Sequence, residues 1–188
     1  MGPDYYVSPA PQSRVPSRKI LLLGIGLVAA VIVGVGLLLA GGGKDISKEL
    51  QRLTIRLSTL QAILDNTEQT RNIKNEELSR LISEFSINLA SDTNTITPLL
   101  SEAGVPENVD PKVLASETDT TDEELEEAAL NNKLDSAMKE TIQTKIRSIR
   151  ILMAEIYPSV KTANLKKALE TLDTNLSKTT ERLEKIRV

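Results

Sequence analysis

KILLLGIGLVAAVIVGVGLLLAGGGK, residues 19–44, supports two incompatible structures, and the choice between them decides the fold. Gly24-Ile25-Gly26 and the following Leu27-Val28-Ala29 come after an aliphatic run, as in the dinucleotide-binding fingerprint, where a strand turns through glycines into a helix that holds a pyrophosphate. Asp45 even stands near the distance at which that fold places its ribose-binding acid. Against this, residues 20–43 carry no charged, amide or hydroxyl side chain, whereas a helix in such a fold keeps a polar face toward solvent. No turn separates a helix from a second strand between Ala29 and Asp45. A bilayer core of roughly 30 Å takes about 20 helical residues, which residues 20–40 supply. The stretch therefore reads as a transmembrane helix over 20–40, with no nucleotide site.

The span is longer than the roughly 7–15 apolar residues of a cleaved secretory signal, so retention as an anchor is expected. Lipoprotein processing is closed, because the chain has no cysteine. Arg18-Lys19 at the border places the N-terminus in the cytoplasm and the remainder outside. Within the span, Gly26, Ala30 and Gly34 fall four apart on one face, a small-xxx-small spacing that permits close pairing of membrane helices. Residues 1–19 form a short tail holding Pro3, Pro9, Pro11 and Pro16, too poor in apolar side chains to bury a core. Residues 41–44 are a glycine joint, and 45–188 a domain of their own.

Residues 44–188 have 20 basic and 25 acidic residues, since only Arg14, Arg18, Lys19 and Asp4 precede them, and this negative balance argues against a nucleic-acid partner. Cysteine and histidine are both absent. Their absence removes Ser-His-Asp and Cys-His catalysis, zinc sites built on nitrogen or sulfur, and histidine-ligated haem or di-iron centres. No cofactor or metal is expected.

Four amphipathic helices are expected instead. Ile46, Leu50, Leu53, Leu57, Leu60 and Leu64 alternate steps of four and three, one seam of a helix that starts near Asp45 and is interrupted at Asp65-Asn66-Thr67. A second helix runs to about Thr97, with Leu78, Leu81, Ile82, Phe85, Leu89 and Ile96 inward; Pro98 ends or bends it, unless Pro98 opens a last turn closed by Gly104. Residues 107–127 hold nine acids against Lys112 alone; they lack the spacing and central glycine of a calcium loop, and Thr121 with Glu124 reads as a capping box. A third helix covers about 122–157, bent at Asn131-Asn132, with Leu134, Met138, Ile142, Ile146, Ile149, Met153 and Ile156 inward. A fourth covers about 162–187 and buries Leu165, Leu169, Leu172, Leu176, Leu183 and Ile186. The fold class is all-α, a single N-terminal transmembrane helix followed by an antiparallel four-helix bundle.

Leu100-Ser-Glu-Ala-Gly-Val-Pro106, Leu134-Asp135 and Asn164-Leu165-Lys166-Lys167-Ala168 stand where they do in a bacterial exported family of unknown function with a ferritin-like four-helix bundle, which residues 45–186 resemble. Members of that family carry histidines on helices two and three, and this chain has none. The resemblance thus implies a fold and no metal role.

Three functional classes follow. The first is a non-catalytic, membrane-anchored bundle of the cell envelope that presents a surface to a protein partner or to its own copies. Lys139, Arg147 and Arg150 on the third helix are its candidate contacts for an anionic partner. The second is a ligand-sensing or ligand-binding ectodomain that works through a partner. The third, an enzyme using carboxylates alone, has one candidate, Asp92, between the inward Leu89 and Ile96.

Overall fold

Helix α1 (Ser47–Thr70) begins the computed structural model, which describes residues 46–105, 111–117 and 120–188. Its seam is the expected one, with Leu50, Leu53, Leu57, Leu60 and Leu64 buried, and a second stripe, Gln51, Ile55 and Ile63, is buried beside it. The helix is not interrupted at Asp65-Asn66-Thr67. Polar side chains there are satisfied along the helix: Thr67 donates to the Ile63 carbonyl and Thr70 to that of Asn66, while Asp65 accepts from Gln61 one turn back and from Ser86 on the next helix. The break comes at residues 71–75, where the Asp135 carboxylate accepts the backbone N–H groups of Lys74 and Asn75.

Helix α2 (Glu76–Glu102) is capped by Asn75, whose side chain accepts from the Leu78 N–H. Pro98 lies inside it and does not end it. The carbonyl that Pro98 leaves without a donor belongs to exposed Asn94, where solvent is available. Gly104, at φ 84°, then closes the helix, and the Val105 N–H returns to the Leu100 carbonyl. The acidic crossover contains a short helix, α3 (Pro111–Ser116), which the sequence pattern did not announce.

The expected bent third helix is two helices, α4 (Thr121–Leu130) and α5 (Leu134–Ile156). Asn132 between them has φ 55°, a left-handed conformation that asparagine tolerates and that no helix can continue through. The cap of α4 is Thr120, one residue earlier than expected; its hydroxyl reaches Glu124 and makes no capping bond to the helix N–H groups. A 3-10 turn (Tyr157–Ser159) around Pro158 leads to α6 (Ala163–Lys185). All its expected core positions are buried, and Thr179 fills the seam between Leu176 and Leu183, its hydroxyl donating to the Asn175 carbonyl.

The four long helices pack in the cyclic order α1, α2, α6, α5. Hydrogen bonds set their directions. Asp135 at the start of α5 holds the turn that ends α1, and the Asn75 side chain at the start of α2 donates to the Arg187 carbonyl just past α6. So α1 and α6 end where α2 and α5 begin, and neighbours in the ring run antiparallel. One apolar core joins all four helices; Leu60, Leu78, Met138, Ile149, Leu172 and Leu176 have no exposure. Each such side chain contributes on the order of 1.5–3 kcal/mol by leaving water.

The tail 1–19, the apolar run 20–40 with Gly26, Ala30 and Gly34, and the joint 41–44 lie outside the described residues. Among those that are described, no helix is long and apolar enough to cross a membrane.

Candidate functional site

An amphipathic helix in a bundle presents, beside its buried seam, a flanking stripe that its neighbour does not wholly cover. Along α5 that stripe is Gln143, Arg147, Arg150, Ile151, Ala154 and Tyr157; along α6 it is Glu170, Asp173, Thr174, Thr180 and Glu184. Between them lies an open groove of about 910 Å3, floored by the core residues Ile146, Met153 and Leu169. Its α5 wall is basic and its α6 wall acidic.

Much of this charge is matched across the groove. The Arg150 guanidinium donates to both carboxylate oxygens of Asp173, at 2.7 and 3.3 Å. That hydrogen bond, aided by the Coulombic attraction of Asp173 and opposed by partial desolvation, holds the guanidinium above its ordinary pKa. Both partners are more than a third exposed (39 and 44 %), so the pair is worth under about 1 kcal/mol to stability. At the groove's end the Tyr157 hydroxyl donates to Glu170, which pushes the phenol above its ordinary pKa, and the Lys166 ammonium sits 5.3 Å from the centre of the Tyr157 ring. Other groups are left over: Ile151 is 55 % exposed on the rim, and Arg147 and Glu184 are exposed with no pairing partner among the described residues.

The structure brings Arg147 and Arg150 together on this groove and sets Lys139 apart. Lys139 lies toward the start of α5, where its ammonium donates to the Ile186 carbonyl at 2.7 Å and fastens the chain end past α6. Asp92 is half-buried between α2 and α6, where both its oxygens accept from the Asn175 amide, at 2.9 and 3.1 Å. It ties two helices together.

Sequence reasoning missed the roles of Glu117 in the acidic crossover and of Asp122 at the start of α4. Arg56 forks onto Glu117 through two bonds of 2.7 and 2.9 Å and donates a third to the Ser148 carbonyl, clamping the crossover to α1 and α5. Arg52 stands 3.7 Å from the same carboxylate, close enough for attraction but beyond hydrogen-bond reach. Arg71, its side chain only 6 % exposed, pairs with Asp122 at 2.8 Å in the first turn of α4. The available signal was that Arg52 and Arg56 sit off the leucine seam opposite an acid-rich segment, but a separation of 61 residues between Arg56 and Glu117 has no local signature. Among the described residues no three metal-capable side chains cluster.

Comparison of the chain with protein-family models, with curated proteins and with solved structures found no match. The functional reading therefore rests on geometry and sequence.

Proposed function

We propose that this chain is a membrane-anchored, non-catalytic helical bundle that serves the cell envelope as an interaction module, with residues 20–40 as its anchor and the bundle outside. The observation that carries the interaction role is the groove between α5 and α6. It is long and open, its walls have opposite sign, and it keeps an arginine without a pairing partner among the described residues and an exposed isoleucine where a partner can cover them. Two of its three carboxylates, Asp173 and Glu170, are engaged with Arg150 and Tyr157, an arrangement suited to holding a surface together. The anchor follows from the uncharged run in the sequence. The ferritin-like resemblance agrees with an antiparallel bundle outside the membrane and supplies no activity.

Two measurements test this reading. In intact cells, added protease should digest the bundle while the protein stays in the carbonate-washed membrane pellet; recovery of the uncleaved, folded chain in the supernatant overturns the anchor. Mild detergent extraction after crosslinking should return the bundle with a neighbour, and recovery of monomer alone overturns the interaction role.

One observation favours a second reading, a ligand-binding ectodomain working through a partner. The groove's volume of about 910 Å3 falls within the range of small-molecule sites, roughly 300–1,000 Å3. Thermal-shift screening against metabolites separates the two, because a ligand that binds only the folded state raises the melting temperature by mass action.

A further inference from the structure

The walls of the α5/α6 groove carry a pattern that is its own complement. The helices run antiparallel, and the Arg150–Asp173 pair fixes their relative height. Now let a second bundle face this groove, related by a two-fold axis parallel to the helices. The operation sets each copy's α5 opposite the other copy's α6 at the same height. Arg150 then faces the partner's Asp173, and the two intramolecular pairs close into a square of alternating sign, plus and minus at successive corners. With a rise of about 1.5 Å per residue, Arg147 stands about 4.5 Å farther along α5, within reach of the same carboxylate of the partner. This arginine has no pairing partner among the described residues of its own chain. Ile151, 55 % exposed, lies in the same stripe and loses water on both copies at once. A uniformly acidic or basic partner is repelled by one wall, whereas the face's own pattern, turned through the two-fold, is matched at both.

We infer that the α5/α6 groove is where a second copy of this chain docks, the two bundles standing side by side with parallel long axes. The inference rests on the anchored reading for its setting, since two anchors in one bilayer hold both bundles upright, the orientation the two-fold requires.

The test uses full-length chains in membranes and exploits the absence of native cysteine. One tagged copy carries Ile151→Cys on α5 and a differently tagged copy carries Thr174→Cys on α6, at nearly the same height, and a short bismaleimide is added. The expected result is a mixed-tag dimer, reduced at least several-fold when Arg147→Glu is present in both copies. A matching pair bearing Ile87→Cys, an exposed site on α2 across the ring from α5, should link far less. Arg147→Glu replaces an exposed side chain with no pairing partner among the described residues and should leave the thermal melt unchanged; if it does not, Ile151→Asp with Cys moved to Ala154 takes its place. Absence of the mixed-tag dimer, equal linking at Ile87, indifference to the charge reversal, or capture of a different protein overturns the inference. A carbonate wash of the same membranes keeps the two readings apart. Protein retained without the crosslink sinks the dimer and spares the anchor, and protein released yet crosslinked in solution does the reverse.

Discussion

Arg71 shows how a single charge is used in this molecule. Its guanidinium is buried at the end of α1, held by the Asp122 carboxylate at 2.8 Å and by the Thr67 hydroxyl at 3.3 Å. Asp122→Ala removes the carboxylate and leaves the buried cation with a neutral acceptor, so it should lower the unfolding free energy by about 1.5–3 kcal/mol in urea titrations. Asp122→Asn, which keeps an acceptor oxygen, should cost less. Tyr157 makes a prediction of opposite character. Its pKa is raised above the ordinary value of about 10 because its hydroxyl donates to the Glu170 carboxylate, and only the protonated phenol can do so. The stabilising contribution is thus complete below about pH 10 and vanishes as pH rises through the folded-state value. An ultraviolet titration of the native chain should show a late-ionising class that belongs to one of its three tyrosines. Glu170→Ala should merge the classes; an unchanged late class in that variant refutes the assignment.

At the scale of elements, the leucine seams set which face of each helix is buried, and side-chain hydrogen bonds set where each helix stops. Leu60 is fully buried in the middle of α1, and Leu60→Ala should cost about 2–5 kcal/mol, read as a lower midpoint in urea with little change in slope. The crossover is held differently, by the three bonds of Arg56 to Glu117 and to the Ser148 carbonyl and by a small apolar contact at buried Val113. Glu117→Gln cannot take the bidentate fork. It should speed amide exchange in residues 111–117 while the protection of α2 and α6 stays near the native level. Equal loss of protection in all the helices would show that the crossover and the bundle open as one unit. What the sequence left wrong or open concerns where helices stop. Asp65-Asn66-Thr67 is a helix interior because Gln61 and Ser86 satisfy Asp65; Pro98 is tolerated because the carbonyl it deprives is at the surface; Asn131-Asn132 is a true break because Asn132 is left-handed. Each outcome depends on partners or backbone angles that hydrophobic period does not encode.

At the scale of the molecule, the stability of a chain without cysteine comes from one apolar core shared by four helices. The buried residues of α1, α2, α5 and α6 form a single cluster, so the α1–α2 and α5–α6 hairpins are expected to unfold together. Unfolding followed by circular dichroism and by Tyr157 fluorescence, in a chain with Tyr5→Phe and Tyr6→Phe, should give coincident, reductant-independent transitions, and a displaced Tyr157 transition would mean that the α5–α6 half melts separately. The groove lies on the outer side of that same half. Its opposite-signed walls arise because the stripe next to the α5 seam is basic and the one next to the α6 seam acidic, and antiparallel packing brings the two into register.

From the sequence by itself came the helical class, the inward face of every long helix, the exclusion of histidine and cysteine chemistry, and the expectation of an anchor over residues 20–40. These follow from composition and from a period of 3.6, which are local properties. Only the tertiary structure decided that Lys139 is spent on the Ile186 carbonyl, that Glu117 and Asp122 clamp the crossover, and that Arg147 and Arg150 share a groove with Asp173. Such pairings join residues 23 to 61 positions apart, and the energy that selects among the available partners exists only after the core has brought the helices together.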